Sequence, residues 1–135
     1  MSTAVAVRLS EDLVTEVRRI ARRRATSFSS VIQAFTEEGV RASLVPGIVF
    51  RDGPSGRRAT VAGSLDVWEV IETAKAAGAW TTEGLAAELG VPERVAAVAL
   101  DYYSRYPQEI DDWIADNEAV AEQARAAWSR RLALV

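Results

Sequence analysis

Seven residues near the start constrain the fold more than any others. From Thr3 to Leu9 the chain alternates, with Val5, Val7 and Leu9 on one face and Ala4, Ala6 and Arg8 on the other. That is the period of a half-buried strand. The pattern then turns helical. Ser10-Glu11-Asp12 forms an N-cap with two acids in the first turn, where the helix dipole favours them. Leu13, Val17, Ile20 and Ala21 recur at helical spacing, leaving Arg18, Arg19, Arg22 and Arg23 on the remaining surface. Thr26-Ser27-Phe28-Ser29 supplies a second cap, and Val31, Ile32, Phe35 and Val40 mark a second helix. The predicted order is one strand, a helix of about four turns, a short turn and another helix. A lone strand leaves its backbone donors and acceptors unpaired, and so few residues cannot enclose a core. Pairing with the same strand of a second copy meets both needs, so residues 1–45 are expected to dimerise.

The run Val5-Ala6-Val7-Arg8-Leu9-Ser10-Glu11-Asp12-Leu13, followed by Ser27-Phe28-Ser29-Ser30-Val31-Ile32, resembles the MetJ/Arc/CopG-type ribbon-helix-helix family. The resemblance implies an antiparallel ribbon that enters the major groove of operator DNA, a docking mode open to strands. By position, Ala4, Ala6 and Arg8 would face the bases, and Ser27 and Ser29 would hold a phosphate at the N-terminus of the second helix. Arg8 is suited to a bidentate contact with guanine, whereas the two alanines offer only methyl contacts, for example to thymine. Without DNA, the ribbon is a dimerisation device and the arginines are a solvated helix face.

Composition narrows the function. Cysteine and histidine are both absent from the 135 residues. This removes thiol nucleophiles, thiolate or imidazole zinc sites, Ser-His-Asp triads and histidine acid–base chemistry. The expectation is a binding protein without cofactor or metal, not an enzyme. The missing cysteines fit a reducing cytoplasm. No apolar run reaches the roughly 18 residues needed to span a bilayer, and the N-terminus lacks the basic and apolar regions of a signal peptide. The net charge of −3 is unevenly spread. Residues 1–45 hold seven Arg against five Asp/Glu, and residues 46–135 hold nine Lys/Arg against fourteen Asp/Glu. A basic head on an acidic body points to two surfaces with two partners.

Leu44-Val45-Pro46-Gly47 interrupts the helical pattern and is expected to be a linker. Ile48-Val49-Phe50 and Ala59-Thr60-Val61-Ala62 read as a hairpin around the loop Arg51–Arg58. That loop lacks the Gly-Lys-Ser/Thr ending of a phosphate cradle. Asp66 is placed to cap a helix through about Lys75, ended by Gly78. Thr81 or Thr82 caps a short helix stopped by Gly90, and a further helix runs from Pro92 through Tyr103. Helix, short glycine turn, helix is the outline of a helix-turn-helix.

The stretch Gly56-Arg57-Arg58-Ala59-Thr60-Val61-Ala62-Gly63-Ser64-Leu65-Asp66-Val67-Trp68-Glu69-Val70 resembles the domains of unknown function numbered 433. So do Thr82–Leu89 and Val95–Tyr103, although Gly63-Ser64 runs into Leu65 without the arginine of that family's Gly-Thr-Arg step. The resemblance implies a compact helix-turn-helix domain and the role of a VapB-type antitoxin to a PIN-like nuclease. Pro92–Ala99 offers one arginine among alanines and valines, so this helix is expected to pack against protein rather than read DNA.

After Tyr106-Pro107 the pattern is helical to near the end. Ile110, Trp113, Ile114, Asn117, Val120, Ala121, Ala124, Ala127 and Trp128 form one stripe at spacings of three and four. A helix of about 25 residues reaches nearly 40 Å, longer than so small a domain needs for its own core. The other face is acidic from Glu109 to Glu122 and basic at Arg125, Arg130 and Arg131. The stripe either packs on the preceding domain or a dimer mate, or is an arm for the nuclease. As an arm it would use Trp113, Ile114 and Trp128 as anchors. Arg125, Arg130 and Arg131 are candidates to enter the carboxylate-lined, magnesium-binding site such nucleases have. Asp111, Asp112 and Asp116 are read as solvated acids rather than metal ligands.

The expected fold is α+β and mainly α, in three parts. Residues 1–45 are the ribbon-helix-helix, 46–106 a hairpin with a helix-turn-helix, and 107–135 a long amphipathic helix. The expected function is a cytoplasmic homodimeric antitoxin that neutralises a PIN-like ribonuclease and represses its own operator. A transcriptional regulator without a toxin and a dimeric scaffold that binds no DNA are the alternatives.

Overall fold

A computed structural model describes residues Met1–Leu134. The described chain is mainly helical with a single two-stranded antiparallel sheet, an α+β arrangement dominated by α. It divides into two compact units, Met1–Arg41 and a second that begins at Ala42.

In the first unit, Met1–Ser10 form neither helix nor strand, and all but Leu9 are exposed. The alternating segment has no partner strand within its own unit, and an extended backbone without a partner makes no ladder. Helix α1 (Glu11–Arg23) begins where the cap predicts, with Ser10 Oγ accepting from the Leu13 N–H at 3.2 Å. Ala25 takes a left-handed conformation, and the Thr26 N–H closes the turn on the Ala21 carbonyl at 3.0 Å. Helix α2 (Phe28–Leu44) is capped by Ser27, whose Oγ accepts from the Ser30 N–H at 3.1 Å. The buried core is only Val17, Ala21 and Val31, edged by Ile20, Phe28, Ile32 and Phe35.

The second unit opens on the segment expected to be a linker, and it is not one. Val45 is buried in the main core, and the Gly47 carbonyl accepts from the Ala62 N–H at 2.8 Å. Strands β1 (Ile48–Gly53) and β2 (Gly56–Val61) pair in register from Ile48↔Val61 to Gly53↔Gly56. The hairpin turn is therefore Pro54-Ser55 alone, not an eight-residue loop. Arg51, Arg57 and Arg58 belong to the strands, because pairing continues for as long as backbone partners remain opposite each other.

The rest of the unit is four helices: α3 (Val67–Ala77), α4 (Thr82–Leu89), α5 (Glu93–Arg105) and α6 (Pro107–Ala133). α3 and α4 stop at Gly78 and Gly90, as the sequence pattern predicts, and Thr81 rather than Thr82 caps α4. α3 runs through the middle of the unit with Val67, Val70, Ile71 and Ala74 fully buried. Around it lie Ile48, Ala59 and Val61 of the hairpin, Leu85 of α4, and Val95, Ala96, Ala99 and Tyr102 of α5. Ile110 and Ile114 of α6 complete this core, so the start of α6 is part of the second unit rather than a separate tail. Tyr102 is the largest buried side chain; its hydroxyl donates to Glu109 at 2.5 Å. No described helix is long and apolar enough to cross a membrane.

Candidate functional site

In the first unit, Ala4, Ala6 and Arg8 are exposed on the N-terminal segment. Ser27 is committed to the α2 cap and also donates to Ser30 Oγ at 2.8 Å, while Ser29 is exposed on the first turn. The arginines of α1 and of its C-cap, Arg24, do not all point freely into solvent. Arg18 lies over the Phe28 ring at 5.9 Å and Arg24 over Phe35 at 5.0 Å, so two cations cover the edge of the small core. Arg19 pairs with Glu16 at 2.7 Å.

The second unit has a polar hub that the sequence pattern did not reveal. Asp66 occupies the N-cap position of α3 but makes no side-chain cap bond. Its carboxylate turns instead to the hairpin, where it accepts from Thr60 Oγ1 at 2.8 Å, from Arg58 Nε, and from Arg51 at 3.3 Å. Thr60 and Asp66 are both buried, at 1% and 2% exposure, so the bonds are made away from water. Burial opposes ionisation of Asp66. Hydrogen bonds from Thr60 and Arg58, the charge of Arg58 and the bond from Arg51 outweigh it, holding the carboxyl below its ordinary value. Glu69, one turn along, is pushed the other way, first by burial and then by the charge of Asp66. The hub ties the hairpin to the start of α3, and that is a structural task.

Beside the hub is a groove of about 250 Å³. It is lined by Pro54 and Ser55 of the hairpin tip, by Arg58 and Asp66, and by Trp68 and Glu69 of α3. Trp113, Asp116, Asn117 and Val120 of α6 complete the lining. Gly56 stands close to Trp113: a Cβ there would meet the indole at 3.5 Å. Val120, at the end of the groove, is 62% exposed, and beyond it α6 is almost wholly exposed, including Trp128 (60%) and Leu132 (57%).

The residues proposed from sequence to contact a partner thus fall into three environments. Ile114 is buried in the core against α3 and is a packing residue. Trp113 is half-buried in the groove wall. Arg125, Trp128, Arg130 and Arg131 lie on the exposed end, where Arg125 pairs with Glu122 at 2.6 Å. The helix-turn-helix outline is present in α4 and α5, but α5 buries Val95, Ala96, Ala99 and Tyr102, leaving Glu93, Arg94, Ala97 and Asp101 outward. Asp111 is engaged by Lys75 at 2.6 Å and by the Tyr103 hydroxyl at 2.8 Å, and Asp112 accepts from Gln108 at 2.8 Å. Among the described residues no group of three or more His, Cys, Asp or Glu is placed to hold a metal ion.

Sequence reasoning missed the hub because Asp66 in front of an apolar run reads as a cap and nothing more. The signal that could have found it is the Arg-Arg-x-Thr pattern at Arg57–Thr60, with two charges and a hydroxyl on what is otherwise an apolar strand. Comparison of the chain with protein-family models, with curated proteins and with solved structures finds no match.

Proposed function

We propose that this chain is a dimeric antitoxin: it pairs with a second copy through residues 3–9, binds its operator as an autorepressor, and blocks a PIN-like ribonuclease. The observation that carries the first step is the size of the first core. Three buried side chains are too few to hold some forty residues in place, while Val5 (77% exposed) and Val7 (68%) stand ready for a partner. A paired ribbon would bury them and satisfy its backbone at once. DNA binding rests on the ribbon-helix-helix resemblance and on the arginine surplus of residues 1–45. Nuclease binding rests on the resemblance of the second unit and on the exposed end of α6, which offers a large aromatic anchor and three arginines.

Two measurements test this. In a DNA-binding titration at several salt concentrations, the wild type should bind its own promoter with a steep salt dependence. Arg8→Ala should lose about 1–3 kcal/mol and relax sequence preference, whereas Ser29→Ala, at an exposed hydroxyl outside the α2 cap, should weaken all sequences alike. An Arg8→Ala protein with full affinity and specificity rules out the base-reading role. In the second measurement the co-expressed neighbouring nuclease is titrated with full-length protein and with protein truncated after Ala121. Truncation after Tyr106 would remove Ile110 and Ile114 from the core and is uninformative. Equal inhibition by both proteins moves the nuclease contact off the arm.

A further inference from the structure

The face of α6 that lines the tryptophan groove does not stop where the groove stops. Trp113, Asn117, Val120, Ala124, Trp128 and Arg131 recur at intervals of three and four residues, so they share one stripe of an unbroken helix. Trp113, Asn117 and Val120 line the groove, and the stripe continues past it as the exposed side chains of Ala124, Trp128 and Arg131.

We propose that this stripe is covered by the same stripe of a second copy, antiparallel about a two-fold axis through Ala124. In that register Val120 meets the second copy's Trp128, and Ala121 meets its Ala127. Small residues at and beside the axis let the two helices approach closely. The C-terminal end of each α6 then lies in the other copy's groove, bringing Arg130 and Arg131 to Glu69 and Asp116 between the indoles of Trp68 and Trp113.

Charge selects this occupant and this direction. From Glu109 to Glu122 the helix has six acids and no Lys or Arg, and from Gln123 to Leu134 it has three Arg and no acid. Antiparallel pairing lays the basic end of each helix against the acidic half of the other, with Arg130 opposite Glu118, whereas parallel pairing sets like on like. An acidic groove with aromatic walls suits a guanidinium, by ion pairing and by stacking on indole. The helix cannot fill its own groove with Arg130 or Arg131, because these lie roughly 20 Å along a continuous rod from Asp116. The contact is self-complementary and closes with two copies. One arm cannot hold a second copy and a nuclease together, so the two uses compete. That consequence rests on the nuclease reading; the pairing does not.

The chain has no cysteine, so Ala124→Cys introduces a single thiol at the axis, and Ala126→Cys a control thiol on the opposite face. Both positions are exposed. Facing Cα atoms of a close helix pair come within the roughly 4.4–6.8 Å that a disulfide spans. Full-length protein is oxidised at micromolar concentration and followed on non-reducing gels. The expected result is disulfide-linked dimer forming at least tenfold faster for Ala124→Cys than for Ala126→Cys, with the advantage lost when Arg130→Glu and Arg131→Glu are added. Equal rates at the two positions overturn the proposal, as does an advantage that survives the charge reversal. If neither variant cross-links in the free protein, and the thiol of Ala124→Cys becomes protected only when the nuclease is added, the stripe belongs to that partner and the pairing is wrong.

Discussion

Replacing Asp66 by asparagine keeps the side chain's shape and an acceptor for Thr60, but removes the charge that Arg58 and Arg51 face. Arg51 is 55% exposed and its contribution is screened, below about 1 kcal/mol. Arg58 is 19% exposed against an Asp66 side chain at 3%, so this pair lies nearer the buried limit, where breaking one partner costs about 3–5 kcal/mol. Partial access of water to Arg58 and the retained Thr60 bond place Asp66→Asn at about 2 kcal/mol. Asp66→Ala, which also leaves the buried Thr60 hydroxyl without this acceptor, should cost about 3 kcal/mol. The effect has a pH signature. The folded state holds Asp66 below its ordinary value, so its contribution is complete above the unfolded value of about 4 and is lost as pH falls through the lowered folded value. All four tryptophans lie in the second unit, so their fluorescence during urea denaturation reports that unit. The deficit of Asp66→Asn relative to wild type should be constant from about pH 5 to 8 and shrink in acid. Equal midpoints near neutrality, or a deficit that does not shrink in acid, would refute the argument.

Three further perturbations probe other parts of the molecule. Val7→Asp puts a charge into the surface that the second copy is expected to cover, so sedimentation should show loss of the dimer or unfolding of the first unit. A folded monomer of wild type at micromolar concentration would contradict the ribbon. Trp128→Ala removes an indole that its own chain leaves exposed, so at concentrations low enough to separate the copies the urea midpoint of the second unit should be unchanged, while nuclease binding, read by calorimetric titration, weakens by about 2 kcal/mol or more. Gly47 has φ of +102°, and a Cβ there would come within 3.1 Å of Val98 Cγ2. Gly47→Ala should therefore cost about 1–3 kcal/mol in the second unit, measured by the same denaturation, and Val98→Ala should recover only the steric part.

Much of the local structure was legible in the sequence because it depends on near neighbours. The Ser10 and Thr81 caps, the stops at Gly78 and Gly90, and the start of α6 at Pro107 each depend on a few adjacent residues, and each stands where the pattern put it. Two features failed locally for the same reason. The hairpin loop was read too long, because Arg51, Arg57 and Arg58 look like turn or surface residues until a strand lies opposite them. Val45 looked like linker because only the packed core shows a side chain filling it. The interaction residues divide along the same line. Helical spacing placed Ile114 and Trp128 on one stripe of equal promise. The tertiary structure buried the first against α3 and left the second exposed, since the domain ends before the helix does. Alternation along residues 3–9 predicted a strand, and with no partner strand opposite it the described segment forms none. The sequence alone determined which residues can make helices and where most of those helices begin and end. Tertiary structure decided which polar groups meet, that Asp66 serves the hairpin instead of its own helix, and which half of α6 remains exposed. Such pairings join residues distant in sequence, and only the packed chain brings their charges and surfaces into contact.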